Sequence, residues 1–120
     1  MTVARIARLL VATGLALSLA ACGGGAGAAV DASPVATSSV ELPKSYKFVP
    51  AAIVVPAGST VTWANHDDFT HNVTLADGTP ALTMRPGESA THTFDTAGTF
   101  DYMCSLHPKD MRGRVVVTAS

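Results

Sequence analysis

Set aside the amino-terminal leader and this chain is almost without cysteine. Of the two present, Cys22 directly follows the leader and is expected to be used for lipid, which leaves Cys104 as the only mature thiol. No intramolecular disulfide can form. A lone thiol in an exported chain needs another explanation, either metal ligation or inert burial. Long apolar runs are scarce too. Leu9 to Ala20 is the main one, shorter than the roughly 20 residues a comfortable membrane span needs. Charge of one sign is lacking as well. The chain has 8 Lys+Arg against 9 Asp+Glu. Arg5 and Arg8 depart with the leader, so six bases face nine acids and the formal charge is −3. That mild acidity gives no electrostatic footprint for nucleic acid. With only 4 histidines and 4 methionines, the chain lacks the His- and Met-rich composition of open metal-delivery sites. No helical periodicity is found after the leader, which argues against helical and α/β classes.

What is present divides into three. Residues 1–21 read as a signal peptide, with Arg5 and Arg8 as its basic start and Leu9 to Ala20 as its apolar centre. The run ends in Leu19-Ala20-Ala21-Cys22. This resembles a bacterial lipobox, in which Cys22 becomes the lipid-modified first residue of the mature chain. Residues 22–43 are Gly, Ala, Ser, Thr, Val and Pro with two acids, and read as a flexible, disordered linker. About 20 such residues span on the order of 25 Å. Residues 44–120 form one domain read as strands throughout. Tyr46-Lys47-Phe48, Ile53-Val54-Val55, Thr60 to Trp63, His71 to Leu75, Ala90 to Phe94, Gly98 to Cys104 and Gly113 to Thr118 are the expected strands. Turn chemistry separates them at Pro56 to Ser59, Ala76 to Thr79, Arg85 to Glu88 and Asp95 to Gly98. Short strands at this spacing predict an all-β, Greek-key β-sandwich.

The stretch that carries chemistry is Cys104-Ser105-Leu106-His107-Pro108-Lys109-Asp110-Met111. It holds a thiol, an imidazole and a thioether. A second imidazole, His71, lies upstream in Thr70-His71-Asn72-Val73. Thiolate and imidazole both suit copper, and a trigonal His₂Cys set with a long, weak Met bond is the blue-copper electron-transfer arrangement. Side chains alternate along a strand, so Cys104 shares its direction with Phe100 and Tyr102. His71, Cys104, His107 and Met111 are therefore the candidate ligands for one copper ion. His66 lies in a polar loop and His92 in mid-strand, and neither reads as a ligand. Met103 has the wrong parity. Met84 reads as a wall of the site.

Together these segments resemble the cupredoxins, in particular the plastocyanin, pseudoazurin and amicyanin group. The resemblance covers about residues 45 to 118. It rests on Pro56 to Asn65, Thr70 to Val73, Arg85 to Ser89, Gly98 to Cys104, and the ligand loop with Met111-Arg112-Gly113-Arg114-Val115-Val116-Val117 after it. The amicyanin pattern is nearest, with His-Pro and then Met-Arg-Gly. Three residues separate His107 from Met111, one more than in amicyanin and one fewer than in plastocyanin. The resemblance implies that Cys104 is the thiolate ligand, His71 and His107 the equatorial imidazoles, and Met111 the axial thioether. It also implies that Asn72 ties its strand to the ligand loop near Ser105, with its amide near the Cys104 sulfur. An electron-entry patch of Leu106, Pro108, Phe69 and Met84 around the His107 edge is implied in the same way.

Two functions are compatible with this set. One is an extracytoplasmic one-electron carrier, monomeric, held to the outer face of the bacterial membrane by its lipid, exchanging electrons with a redox donor and acceptor. The other is copper storage, delivery or resistance. An apo sandwich serving as a binding module leaves the four ligands unexplained. Enzymatic oxidation is disfavoured because Met103 and Ser105 flank Cys104 where multicopper oxidases carry His. A dinuclear copper centre needs a second Cys in the loop, and the loop holds only Cys104. Four protein ligands also leave no open coordination position for catalysis.

Overall fold

The computed structural model describes residues 30–120. The leader, Cys22 and the first part of the expected linker lie outside the described residues. Nine strands run in order along the described chain: β1 (Val35–Ala36), β2 (Ser39–Leu42), β3 (Ala52–Pro56), β4 (Ser59–Asn65), β5 (His71–Leu75), β6 (Leu82–Met84), β7 (Ser89–Phe94), β8 (Gly98–Met103) and β9 (Arg112–Thr118). They form a six-stranded sheet, β1-β3-β9-β8-β5-β6, and a three-stranded sheet, β2-β4-β7. The described residues contain no helix.

Alternating side chains hold the two sheets face to face. In β4, Val61 and Trp63 are fully buried, and in β9 Val115 and Val117 point inward while Val116 does not. The aromatic centre is Trp63, Phe94, Tyr102 and Phe48. Trp63 and Tyr102 meet edge to face with centroids 5.5 Å apart, and Phe48 and Tyr102 do so at 4.8 Å. Such pairs add about 0.5–1.5 kcal/mol to their area burial. The Tyr102 ring lies against Gly113 so closely that any Cβ there would run into it. Glycine inside a strand commonly marks such a close approach. Burial pushes the Tyr102 phenol well above its usual range.

The folded part begins earlier than Lys44. β1 and β2 fall inside the stretch expected to be linker, and Val40 and Leu42 are fully buried. β2 pairs in parallel with β4, with Val40 opposite Trp63 and Leu42 opposite Asn65. Ser39-Val40-Glu41-Leu42 does alternate, but the small and polar residues around it mask a period of only two cycles. Burying a Val and a Leu contributes roughly 1.5–3 kcal/mol each, so this segment is a working part of the core. Conversely, Tyr46-Lys47-Phe48 is not a strand. The chain turns there, Tyr46 has φ 53°, and Val49 pairs back onto Glu41. β6 is a strand the sequence does not announce. It is three residues long and pairs with the start of β5.

Strand directions gather the candidate ligands at one end. β8 and β9 are antiparallel, with Met103 opposite Arg112, so the loop between them crosses the end of the larger sheet. β5 is antiparallel to β8, which brings its first residue, His71, to the same end.

Candidate metal centre

His71 opens β5 and is fully buried. Cys104 comes directly after the last residue of β8 and is also fully buried. His107 is half-buried in the loop, and Met111, just before β9, is fully buried. Backbone hydrogen bonds close the loop on itself. The Cys104 amide donates to the Met111 carbonyl at 3.0 Å. The amides of Asp110 and Met111 both donate to the His107 carbonyl, at 3.2 and 3.0 Å, and the His107 amide donates to the Cys104 carbonyl at 3.1 Å.

The three nitrogen and sulfur donors converge. Cys104 Sγ lies 3.8 Å from His71 Nδ1 and 3.9 Å from His107 Nδ1, and all three donor atoms lie within 4.8 Å of one another. With a metal–sulfur bond of about 2.3 Å and metal–nitrogen bonds of about 2.0–2.1 Å, a trigonal centre separates sulfur from nitrogen by about 3.8 Å. Both sulfur–nitrogen distances therefore match a trigonal metal ion.

Asn72 couples the two elements that supply these donors. Its backbone amide donates to Cys104 Sγ at 3.4 Å. Its side-chain amide donates to Ser105 Oγ at 2.7 Å, and its Oδ1 accepts from the Ser105 amide at 2.9 Å and the Thr74 hydroxyl at 3.0 Å.

Three contributors to the site are not evident from the sequence alone. Asp67 is nearly fully buried, and its Oδ2 accepts from His71 Nε2 at 2.8 Å. A hydrogen bond at Nε2 leaves the Nδ1 lone pair free to face the sulfur and fixes the ring's orientation. The hydrogen bond from His71 holds the Asp67 carboxyl below its usual range. Asn65 shapes the loop that carries Asp67. Its Oδ1 accepts from the Asp67 amide at 2.9 Å, and its Nδ2 donates to the carbonyls of Phe69 at 2.8 Å and Met84 at 3.1 Å. Asp67 lies four residues before His71, but a polar run of Asn, His and two Asp reads equally well as a solvent loop. The third is Tyr46, whose ring lies beside both imidazoles.

Leu106 and Phe69 are both 54 % exposed, and Pro108 is exposed with them. Met84 must be removed from this patch. It is fully buried opposite His71 and has no surface to offer. His66 is exposed and pairs with Glu41, and His92 packs against Phe94 at 4.8 Å. Neither is in the donor group.

A buried His₂Cys triangle at the end of a Greek-key sandwich defines the blue-copper class of protein. Comparison with known proteins gives the family. The model for copper binding proteins of the plastocyanin/azurin family matches residues 36–118. Amicyanin-alpha of Methylorubrum extorquens is 35% identical over 105 residues, covering 82% of this chain and 86% of its own. The plastocyanin of Scenedesmus fuscus is 39% identical over 83 residues, covering 58% of this chain and 85% of its own. Among solved structures, a purple cupredoxin from Nitrosopumilus maritimus aligns with a TM-score of 0.60 at 26% identity, covering 67% of this chain and 98% of that one. An oxidised amicyanin variant gives 0.60 at 38% identity, covering 67% and 80%. The chain belongs to the plastocyanin/azurin family of copper binding proteins.

Removal of the Asp67 carboxylate tests its role. Asp67→Ala is expected to lower copper affinity about 10–100-fold, measured by competition with a chelator. Unchanged affinity would mean that packing alone orients His71.

Proposed function

We propose that this protein is an extracytoplasmic one-electron carrier with a single blue copper site. The observation that carries this reading is the donor triangle itself, closed by hydrogen bonds from two elements, with His71 and Cys104 buried and His107 half-buried. Copper held there supplies a one-electron couple between Cu(II) and Cu(I). The chain's own residues fix the donors, so little reorganises when an electron arrives. As in its relatives, the role is transfer and not catalysis.

Met111 is the axial ligand in this reading. Its complete burial and the bonds that tie its backbone to Cys104 and His107 support this. The axial thioether tunes the potential. Asn72 and Ser105 hold the loop to β5 and keep the thiolate directed inward. Electrons enter at the His107 edge, through the patch that includes Leu106, Pro108 and Phe69. The partners are a redox donor and a redox acceptor, and the working unit is a monomer. Storage or delivery is the weaker reading, because a site whose His71 and Cys104 are buried and held by hydrogen bonds suits electron exchange better than metal exchange.

Cys22 is the proposed lipid-modified residue that holds the domain at the outer face of the membrane. The sequence Leu19-Ala20-Ala21-Cys22 supports it. With β1 in the fold, only 12 residues separate Cys22 from Val35. At roughly 3.3–3.6 Å per extended residue they reach about 45 Å at most, which limits how far the start of the fold stands from the bilayer.

Two substitutions test these assignments. Met111→Leu is expected to retain copper and raise the reduction potential in voltammetry, since the lost thioether no longer stabilises Cu(II). An unchanged potential and spectrum would remove Met111 from the coordination sphere. Cys22→Ala is expected to release the protein from membranes or leave its leader uncut. Parent-like membrane fractionation together with a normally cut leader would contradict lipidation.

A further inference from the structure

The turn between β2 and β3 reaches the copper end, yet it supplies neither a ligand nor a hydrogen bond to one. Tyr46 lies in it with φ 53°. A bulky residue in the left-handed region is a genuine outlier, and Gly would take the position without that cost. Such backbone persists where surrounding contacts over-determine it, and it clusters at functional sites.

Besides packing on the core, its ring pairs with aromatic groups at the copper end. The Tyr46 ring is edge-on to His107 with centroids 4.7 Å apart and an interplanar angle of 61°. It meets His71 edge to face at 5.9 Å and 88°, and stacks on Phe69 at 5.8 Å and 26°. Among the described residues, no other phenyl, phenol or indole ring pairs with either imidazole. Tyr46 is half-buried, whereas the Phe69 it stacks on is 54 % exposed. From the solvent inward the contacts therefore run from Phe69 to Tyr46 to His107.

We propose that Tyr46 is a positioning residue for electron exchange. Its ring holds the His107 imidazole in its ligating orientation and sets how closely a redox partner approaches the site, so that a docked partner exchanges electrons across the Tyr46–Phe69 pair. One electron leaves the partner and one arrives at the metal. Neither ring is oxidised, and no bond forms or breaks. This deepens the electron-carrier reading and rests on it.

Tyr46→Gly removes the ring and suits the backbone of the position, while Tyr46→Phe keeps the ring and drops the hydroxyl. Proton NMR of the metal-free full chain is expected to show His107 imidazole signals shifted by a neighbouring ring, with cross-peaks to residue 46, in the parent and in Tyr46→Phe. Tyr46→Gly is expected to lose both. In the copper-loaded proteins, Tyr46→Gly is expected to react several-fold faster with hexacyanoferrate(III) once reduced, with Tyr46→Phe at the parent rate. Parent-like imidazole signals and a parent rate in Tyr46→Gly would overturn the proposal. A Tyr46→Phe rate matching that of Tyr46→Gly would also overturn it, by assigning the effect to the hydroxyl. Tyr46→Asn, which also tolerates this backbone region, replaces the glycine variant if that variant fails to fold, and the same results are required of it. If the parent itself forms no thiolate–copper band, the carrier reading fails, and the NMR comparison still decides whether the Tyr46 ring lies against His107.

Discussion

Asn72 sits on β5, but its side chain serves the loop beyond β8. One carboxamide accepts from the Ser105 amide and donates to the Ser105 hydroxyl, while the backbone amide of the same residue reaches the Cys104 sulfur. Cys104 and His71 come from segments 33 residues apart in sequence. The sheet alone brings their backbones near one another. These three bonds turn that nearness into a fixed distance between sulfur and nitrogen. A buried polar side chain is costly when unpaired, so Asn72 holds the loop in place as firmly as the loop satisfies Asn72.

The rest of the copper end extends the same constraint. Asn65 shapes the turn that carries Asp67, Asp67 orients His71, and the backbone bonds of Met111 close the ligand loop. Below them lies the apolar layer of Trp63, Phe48, Phe94 and Tyr102. Close-packed interiors deform little, which is what an electron carrier requires. A donor set that keeps its geometry in both oxidation states wastes little free energy on rearrangement. Only His107 among the three donors is partly open, and the exposed apolar side chains of Phe69 and Leu106 lie at that same end.

The parts of this arrangement readable from sequence were those with strong local signals. β4 and β8 are legible by alternation, β5 and β9 as short strands beside turn residues and the ligand loop, and Cys104, His107 and His71 by a chemistry that few other contexts need. Less visible were features whose meaning depends on distant partners. Ser39 to Leu42 alternates for only two cycles, and its worth comes from pairing with β4. Tyr46 looks like part of a strand because its sequence alternates, yet the chain turns there and the ring lies against the imidazoles. Asp67 looks like any loop acid until the fold places it against His71. Met84 had suitable chemistry for a surface patch, but its pairing with His71 buries it.

The most direct measurement is the visible absorption of the copper-loaded protein before and after ascorbate. An intense blue band that bleaches on reduction and returns on reoxidation is expected, because it requires Cys104 thiolate bonded to Cu(II) in a reversible one-electron site. Copper binding with only the pale absorption of nitrogen and oxygen ligands would contradict the account, since it would place Cys104 outside the coordination sphere.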